Sequence, residues 1–139
     1  MEYQRFGNTV YVRIDRGEEL TAALRCVCER EGIRLAHIEA LGACDCFTVG
    51  VYDVEKKEYH AHTFRGSFEI VSLHGTVTTM QGAYYAHLHM SAANAQGEVF
   101  GGHLNEAYIS ATCEMVLTVS DGCIERQNDP VTGLNLFRF

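Results

Sequence analysis

Helical spacing of apolar residues occurs in one stretch of this chain, Leu20 to Cys28, and from Ile33 onward the apolar patterns are those of strands. The helical stretch places Leu20, Ala23, Leu24, Val27 and Cys28 on one face. Glu18 and Glu19 sit where a helix favours negative charge, and Gly32 stands at its C-terminal stop. Its face is narrow, with small residues in it, and such a helix packs closely on a sheet. Ahead of it, Asn8 to Asp15 alternates Val10, Val12 and Ile14 with Thr9, Tyr11 and Arg13, the period of a half-buried strand. After it, strands are predicted over Leu35 to Leu41, Cys46 to Val54, Tyr59 to Phe64, Ser67 to His74, Thr76 to Thr79, Tyr84 to Ala92, Val99 to Leu104 and Tyr108 to Val119, with a last one over Leu134 to Phe139. Short connections at Glu55-Lys56-Lys57 and Asn94-Ala95-Gln96-Gly97 make the sheet largely antiparallel and curled. The fold class is α+β, one main helix on that sheet, and 139 residues suffice for a single domain spanning 1–139.

Charge and composition narrow the partners. The formal net charge is −7, and the basic residues form no stripe of the kind that tracks a phosphate backbone, so direct nucleic-acid binding is disfavoured. No apolar run is long enough for a secretory signal or a membrane span, and a cytoplasmic location is the expectation. In that setting six cysteines read as free, mostly buried thiols, and neither Cys26/Cys28 nor Cys44/Cys46 has the spacing of a zinc or redox motif.

The chemistry-bearing stretch is Ala86 to Leu104, AHLHMSAANAQGEVFGGHL. Centring its turn on Ala95, with Ala93 to Gly97 as the loop, sets His87 opposite His103 and His89 opposite Gly101. The three imidazoles then share one face of a hairpin. Cross-strand neighbours about 5 Å apart let three rings reach one ion at roughly 2.0 to 2.1 Å. Gly101 and Gly102 would leave room for the ion or permit a bulge. Three neutral histidines without a fourth ligand form an open site. Zinc is the leading metal, and copper, nickel and iron are also compatible with imidazole. The competing reading is a solvated strand face ending in a turn histidine. Glu69 and Glu114 are the carboxylates to examine as outer partners of the ligating rings, although Glu114 fits a solvated or intersubunit face better. Glu69, between Phe68 and Ile70, is a candidate for burial. His60 and His62 form a second H-x-H pair with no third histidine at hairpin distance, while His37 and His74 read as ordinary polar residues. No nucleophile elbow, phosphate loop or dinucleotide fingerprint is present.

These motifs carry a resemblance. HLH, a short turn and GGHL, then Ala107, Ala111 and Glu114 in an A-x-x-x-A-x-x-E pattern, are similar to the plants-and-prokaryotes-conserved (PPC) family in its stand-alone prokaryotic form. So are RGEEL at Arg16 to Leu20, ALGACDCFTVGVYD at Ala40 to Asp53 and GSFEIVSLHGTV at Gly66 to Val77. The resemblance implies an α+β fold, a homotrimer, and zinc on such histidines in some prokaryotic members. Plant members carry a DNA-binding AT-hook before the domain and contact transcription factors. This chain has no hook, and the plant-type GRFEIL segment stands here as Gly66 to Val71 with Ser67 and Val71 replacing arginine and leucine. Three functions follow as expectations: a homotrimer that binds a metal and a small ligand, a zinc-dependent hydrolase or lyase acting on a small molecule, and a DNA-associated regulator without a hook.

Overall fold

The computed structural model describes all residues, 1–139. In chain order it contains β1 (Glu2–Phe6), β2 (Thr9–Asp15), α1 (Leu20–Glu31), β3 (Ala36–Asp53), β4 (Glu58–Met80), β5 (Ala83–Ala93), β6 (Val99–Val119), β7 (Glu125–Asn128) and β8 (Asn135–Arg138). It is a mostly β protein with one short helix, and every strand pairing is antiparallel except the brief β4–β7 contact.

The expected helix forms where its apolar face lies, burying Leu20, Ala23, Leu24, Val27 and Cys28. Glu19 is its N-cap: the carboxylate accepts from the backbone N–H of Thr21 at 2.9 Å and of Ala22 at 2.7 Å, and also from Ala107 N–H at 3.1 Å, which fastens the helix start to β6. Gly32 ends it in the left-handed conformation, φ 63°, where a side chain would be strained. Each of the fully buried Leu20, Leu24 and Val27 contributes about 1.5–3 kcal/mol of apolar transfer.

The strands are fewer and longer than the sequence pattern suggests. Leu35 to Leu41 and Cys46 to Val54 join into β3, three segments from Tyr59 to Thr79 join into β4, and the two pieces after Val99 join into β6. Register shifts near Ala40/Gly42 and Cys44/Cys46 in β3 absorb the breaks in alternation, so a bulge stands where a turn was expected. β1 and β7 lie outside the predicted strands. β3 pairs β4 and β6, while β5 pairs β4 on one side and β6 on the other, so these four strands close a circuit. Its inner side joins a core of 27 buried residues that includes Ile38, Phe47, Leu73, Leu88, Met90, Leu104 and Met115. Cys28, Cys44 and Cys113 lie in that core, and burial pushes each thiol up to about 12, so they stay protonated packing groups. Cys123 is the exposed exception to the expected thiol burial. No helix is long and apolar enough to cross a membrane.

Candidate metal centre and its pocket

Leu88, Met90 and Leu104 point into the core, so His87, His89 and His103 point out of it. The expected register needs correction: His89, not His87, lies opposite His103, and Gly101 lies opposite Ser91. The cause is the loop, which runs one residue later than expected. Asn94 N–H donates to Glu98 O at 3.0 Å, and the Asn94 side-chain oxygen accepts from the N–H groups of Gln96 and Glu98, both at 3.0 Å. The new centre moves the pairing by two residues, so the three rings keep a common face. His87 lies one step further along β5, opposite Thr76 of β4.

Ring centroids are 5.1 Å apart for His87–His89, 5.0 Å for His87–His103 and 5.5 Å for His89–His103. One ligand nitrogen from each ring lies within 4.8 Å of the other two. Tetrahedral donors at roughly 2.0–2.1 Å from zinc stand about 3.3 Å from one another, so small side-chain rotations complete the fit. His87 and His103 are half-buried, and His89 is exposed. Burial, reinforced by the neighbouring His103, Arg126 and His89, pushes His87 down to about 4; burial and His89 lower His103 as well. Both rings are thus neutral at physiological pH, the form in which imidazole binds a metal.

The backbone around the site is tightly spaced. A side chain on Gly102 would meet the Gly50 carbonyl at 2.7 Å, and one on Gly101 would meet Met90 O at 2.7 Å. These glycines therefore serve close strand approach at the β3–β6–β5 junction; they are not opposite a ligand. Tyr59 lies edge-on to the His103 ring, and its hydroxyl bonds Asn105 Oδ1 at 2.6 Å and His103 O at 3.2 Å, fixing the backbone that carries this histidine.

Glu69 and Glu114 are both exposed. Glu69 lies opposite Ala93, and Glu114 lies opposite Arg13 and Leu41, far along their strands from the triad; neither is brought to it. His60 and His62 are exposed and join no group of ligands. His37 and His74 are placed differently from the expectation: with Glu39 they form a second trio of convergent ligand atoms, all exposed. Glu39 Oε1 lies 3.6 Å from His37 Nε2 and 3.7 Å from His74 Nδ1. Register explains both groups. Glu39, His74, His89 and His103 form one row across β3, β4, β5 and β6, and His37, Thr76 and His87 form the next.

A pocket of about 840 Å³ opens at the triad, lined by His87, His89 and His103, by Tyr52 and Tyr59 of the β3–β4 hairpin, and by Tyr85. The β7–β8 hairpin supplies the facing wall with Arg126, Leu134, Leu136 and Phe137. No Asp or Glu lines it.

The Plants and Prokaryotes Conserved (PCC) domain matches residues 1–121. Among solved structures, a proposed DNA-binding protein of Bacteroides thetaiotaomicron is 30% identical at a TM-score of 0.96, covering 99% of this chain and 96% of that one. A metal-containing protein of Archaeoglobus fulgidus is 36% identical at 0.88, covering 99% and 97%. A plant- and prokaryote-conserved protein of Pyrococcus horikoshii is 33% identical at 0.86, covering 99% and 94%. No curated protein matches.

Proposed function

Because the chain belongs to the Plants and Prokaryotes Conserved domain family, we propose that it is a homotrimeric metal-binding protein whose His87, His89 and His103 hold a transition ion, zinc first, with a small molecule completing its coordination. The observation that carries this reading is the convergence of three ring nitrogens on one face, with two of the rings held neutral by burial. The metal-containing relative from Archaeoglobus fulgidus supports it. Zinc bound there would supply a Lewis acid with an open position. The chain's own part is to keep the imidazoles neutral, to fix His103 through Tyr59, and to wall the ion on one side with an apolar surface. With no carboxylate along the pocket, binding is favoured over zinc-dependent hydrolysis or lyase chemistry.

Metal analysis of protein purified without an affinity tag tests the metal, with one transition ion per chain expected. No bound ion, and no change on His87→Ala, would remove the reading. Sizing across a concentration range tests the trimer, and a monomer throughout would overturn it. The description of the Bacteroides thetaiotaomicron relative favours a second reading, association with DNA. The charge of −7 opposes direct contact, and binding to duplex DNA that persists at physiological salt would establish it against that charge.

A further inference from the structure

Arg126 is the one charged residue that is buried, with 7% of its surface exposed, and no carboxylate lies within ion-pair distance of it. Its guanidinium is sandwiched between the rings of Tyr85, 4.9 Å away, and Phe137, 4.4 Å away. Nε donates to Thr78 Oγ1 at 2.8 Å, Nη1 to the Asn135 carbonyl at 2.7 Å and Nη2 to Thr76 Oγ1 at 3.4 Å. All three acceptors are neutral, and a donor on each of Nη1 and Nη2 is left without a protein acceptor. Thr76 lies directly opposite His87, which puts the guanidinium beside the triad, in the same pocket. Burying a charge is costly unless an opposite charge or a full set of hydrogen bonds compensates. The protein supplies no negative group here, and a divalent ion on three neutral histidines would add two further positive charges. Around them, Leu134, Leu136 and Phe137 each remain more than a third exposed, an apolar surface facing the same space.

We propose that this pocket is a binding site for a small organic acid: the carboxylate lies between the Arg126 guanidinium and the open coordination position at His87, His89 and His103, and the acid's apolar body lies against Leu134, Leu136 and Phe137. The proposal rests on the metal reading above and deepens it by naming the ligand class. Arginine is suited to the task because its planar fork matches a carboxylate, and a neutral isostere of the ligand would leave the same charges uncompensated. The body is apolar because Leu134, Leu136 and Phe137 make up most of the hairpin wall, and the side chain of its amide residue, Asn135, is already engaged with Tyr85 and Asn128.

The test uses the full chain loaded with cobalt(II), whose visible spectrum reports on its coordination, titrated with acetate, benzoate, phenylacetate, inorganic phosphate and the neutral phenylacetamide. Phenylacetate and benzoate are expected to shift the spectrum saturably, at least tenfold more tightly than acetate, and phenylacetamide not at all. Arg126→Met, which keeps an apolar chain between Tyr85 and Phe137, should retain one cobalt per chain yet bind phenylacetate at least thirtyfold more weakly; Arg126→Lys should fall between. Equal affinity in Arg126→Met with cobalt retained would overturn the proposal, because the metal alone would then hold the anion. So would a wild type that binds cobalt but responds to none of the acids. Phosphate binding more tightly than phenylacetate would overturn the assignment of an apolar acid. Should Arg126→Met lose cobalt as well, Arg126→Lys decides: cobalt retained with weakened phenylacetate supports the proposal, and unchanged phenylacetate removes it. A wild type that takes up no cobalt would strike the metal reading instead. Calorimetry with phenylacetate on the metal-free chain then separates the two, since saturable heat lost in Arg126→Met keeps the acid site and its absence removes it.

Discussion

His87, His89 and His103 on the one hand, and His37, Glu39 and His74 on the other, occupy the same two cross-strand rows of one sheet face, yet their surroundings differ. In the first group two rings are half-buried beneath the β7–β8 hairpin and beside Tyr59, and burial keeps them neutral. In the second all three side chains are exposed, and the Glu39 carboxylate lies 3.6 Å and 3.7 Å from the two ring nitrogens, beyond hydrogen-bond distance. Both present three donors, so ligand count does not distinguish them. The difference is how much of the cost of ordering and desolvating the ligands folding has already met. A site on a sheet face is made by the cover above it as much as by the residues projecting from it.

Four measurements break or sharpen this contrast. The largest effect is expected for His87→Ala or His103→Ala, which should weaken zinc by about a thousandfold in competitive titration, well beyond the ten- to hundredfold typical of an outer contact. A change below tenfold would make the half-buried group no better than the exposed one. Next, ordering three exposed side chains at about 1 kcal/mol each corresponds to about a hundredfold in affinity, so the His37–Glu39–His74 trio should take metal at least that much more weakly. Glu39→Gln should accordingly leave the first equivalent unchanged, and loss of that equivalent in the variant would reverse the order of the two groups. A smaller effect concerns acid. With His87 at about 4 in the folded chain against 6.5 ordinarily, the unfolded chain takes the proton first. The stability that neutral His87 contributes to the metal-free protein should therefore be lost as pH falls from about 6.5 to about 4, and that contribution should level off below, where carboxylates held low, such as Asp15 and Glu18, take over the loss. Urea midpoints at pH 7 and pH 5 should differ less in His87→Gln than in the wild type, and an equal difference would contradict the burial of this ring. The smallest effect belongs to Tyr59→Phe, which removes a hydroxyl worth about 1 kcal/mol and should weaken zinc by less than tenfold.

Periodicity made the helix and the sense of the sheet legible, because Leu20, Leu24 and Val27 repeat at one spacing and Val10, Val12 and Ile14 at another. The triad was legible for the same reason: two of its members share H-x-H on a strand, and parity places His103 with them under either register. The register itself depended on which residue of ANAQG caps the turn, and Asn94 takes that role through its side chain. β1, with only one of its residues even half-buried, and β7, reading ERQN, carry almost no apolar alternation, so strand pairing with neighbours defines them instead. The His37–Glu39–His74 trio depends on β3 pairing with β4, which no local spacing encodes, although His37-x-Glu39 placed two of its members on one strand face. Arg126 offered no signal, since a buried arginine in a polar segment is visible only once Tyr85 and Phe137 close around it.

The β7–β8 hairpin lies beyond the segment that matches the family, residues 1–121, while it supplies one side of the pocket. The strands that carry the histidines and the flap that faces them are therefore separate stretches of the chain. Substitutions confined to Leu134, Leu136 and Phe137 would thus reshape the wall of the pocket without touching β5 or β6, on which the three imidazoles stand.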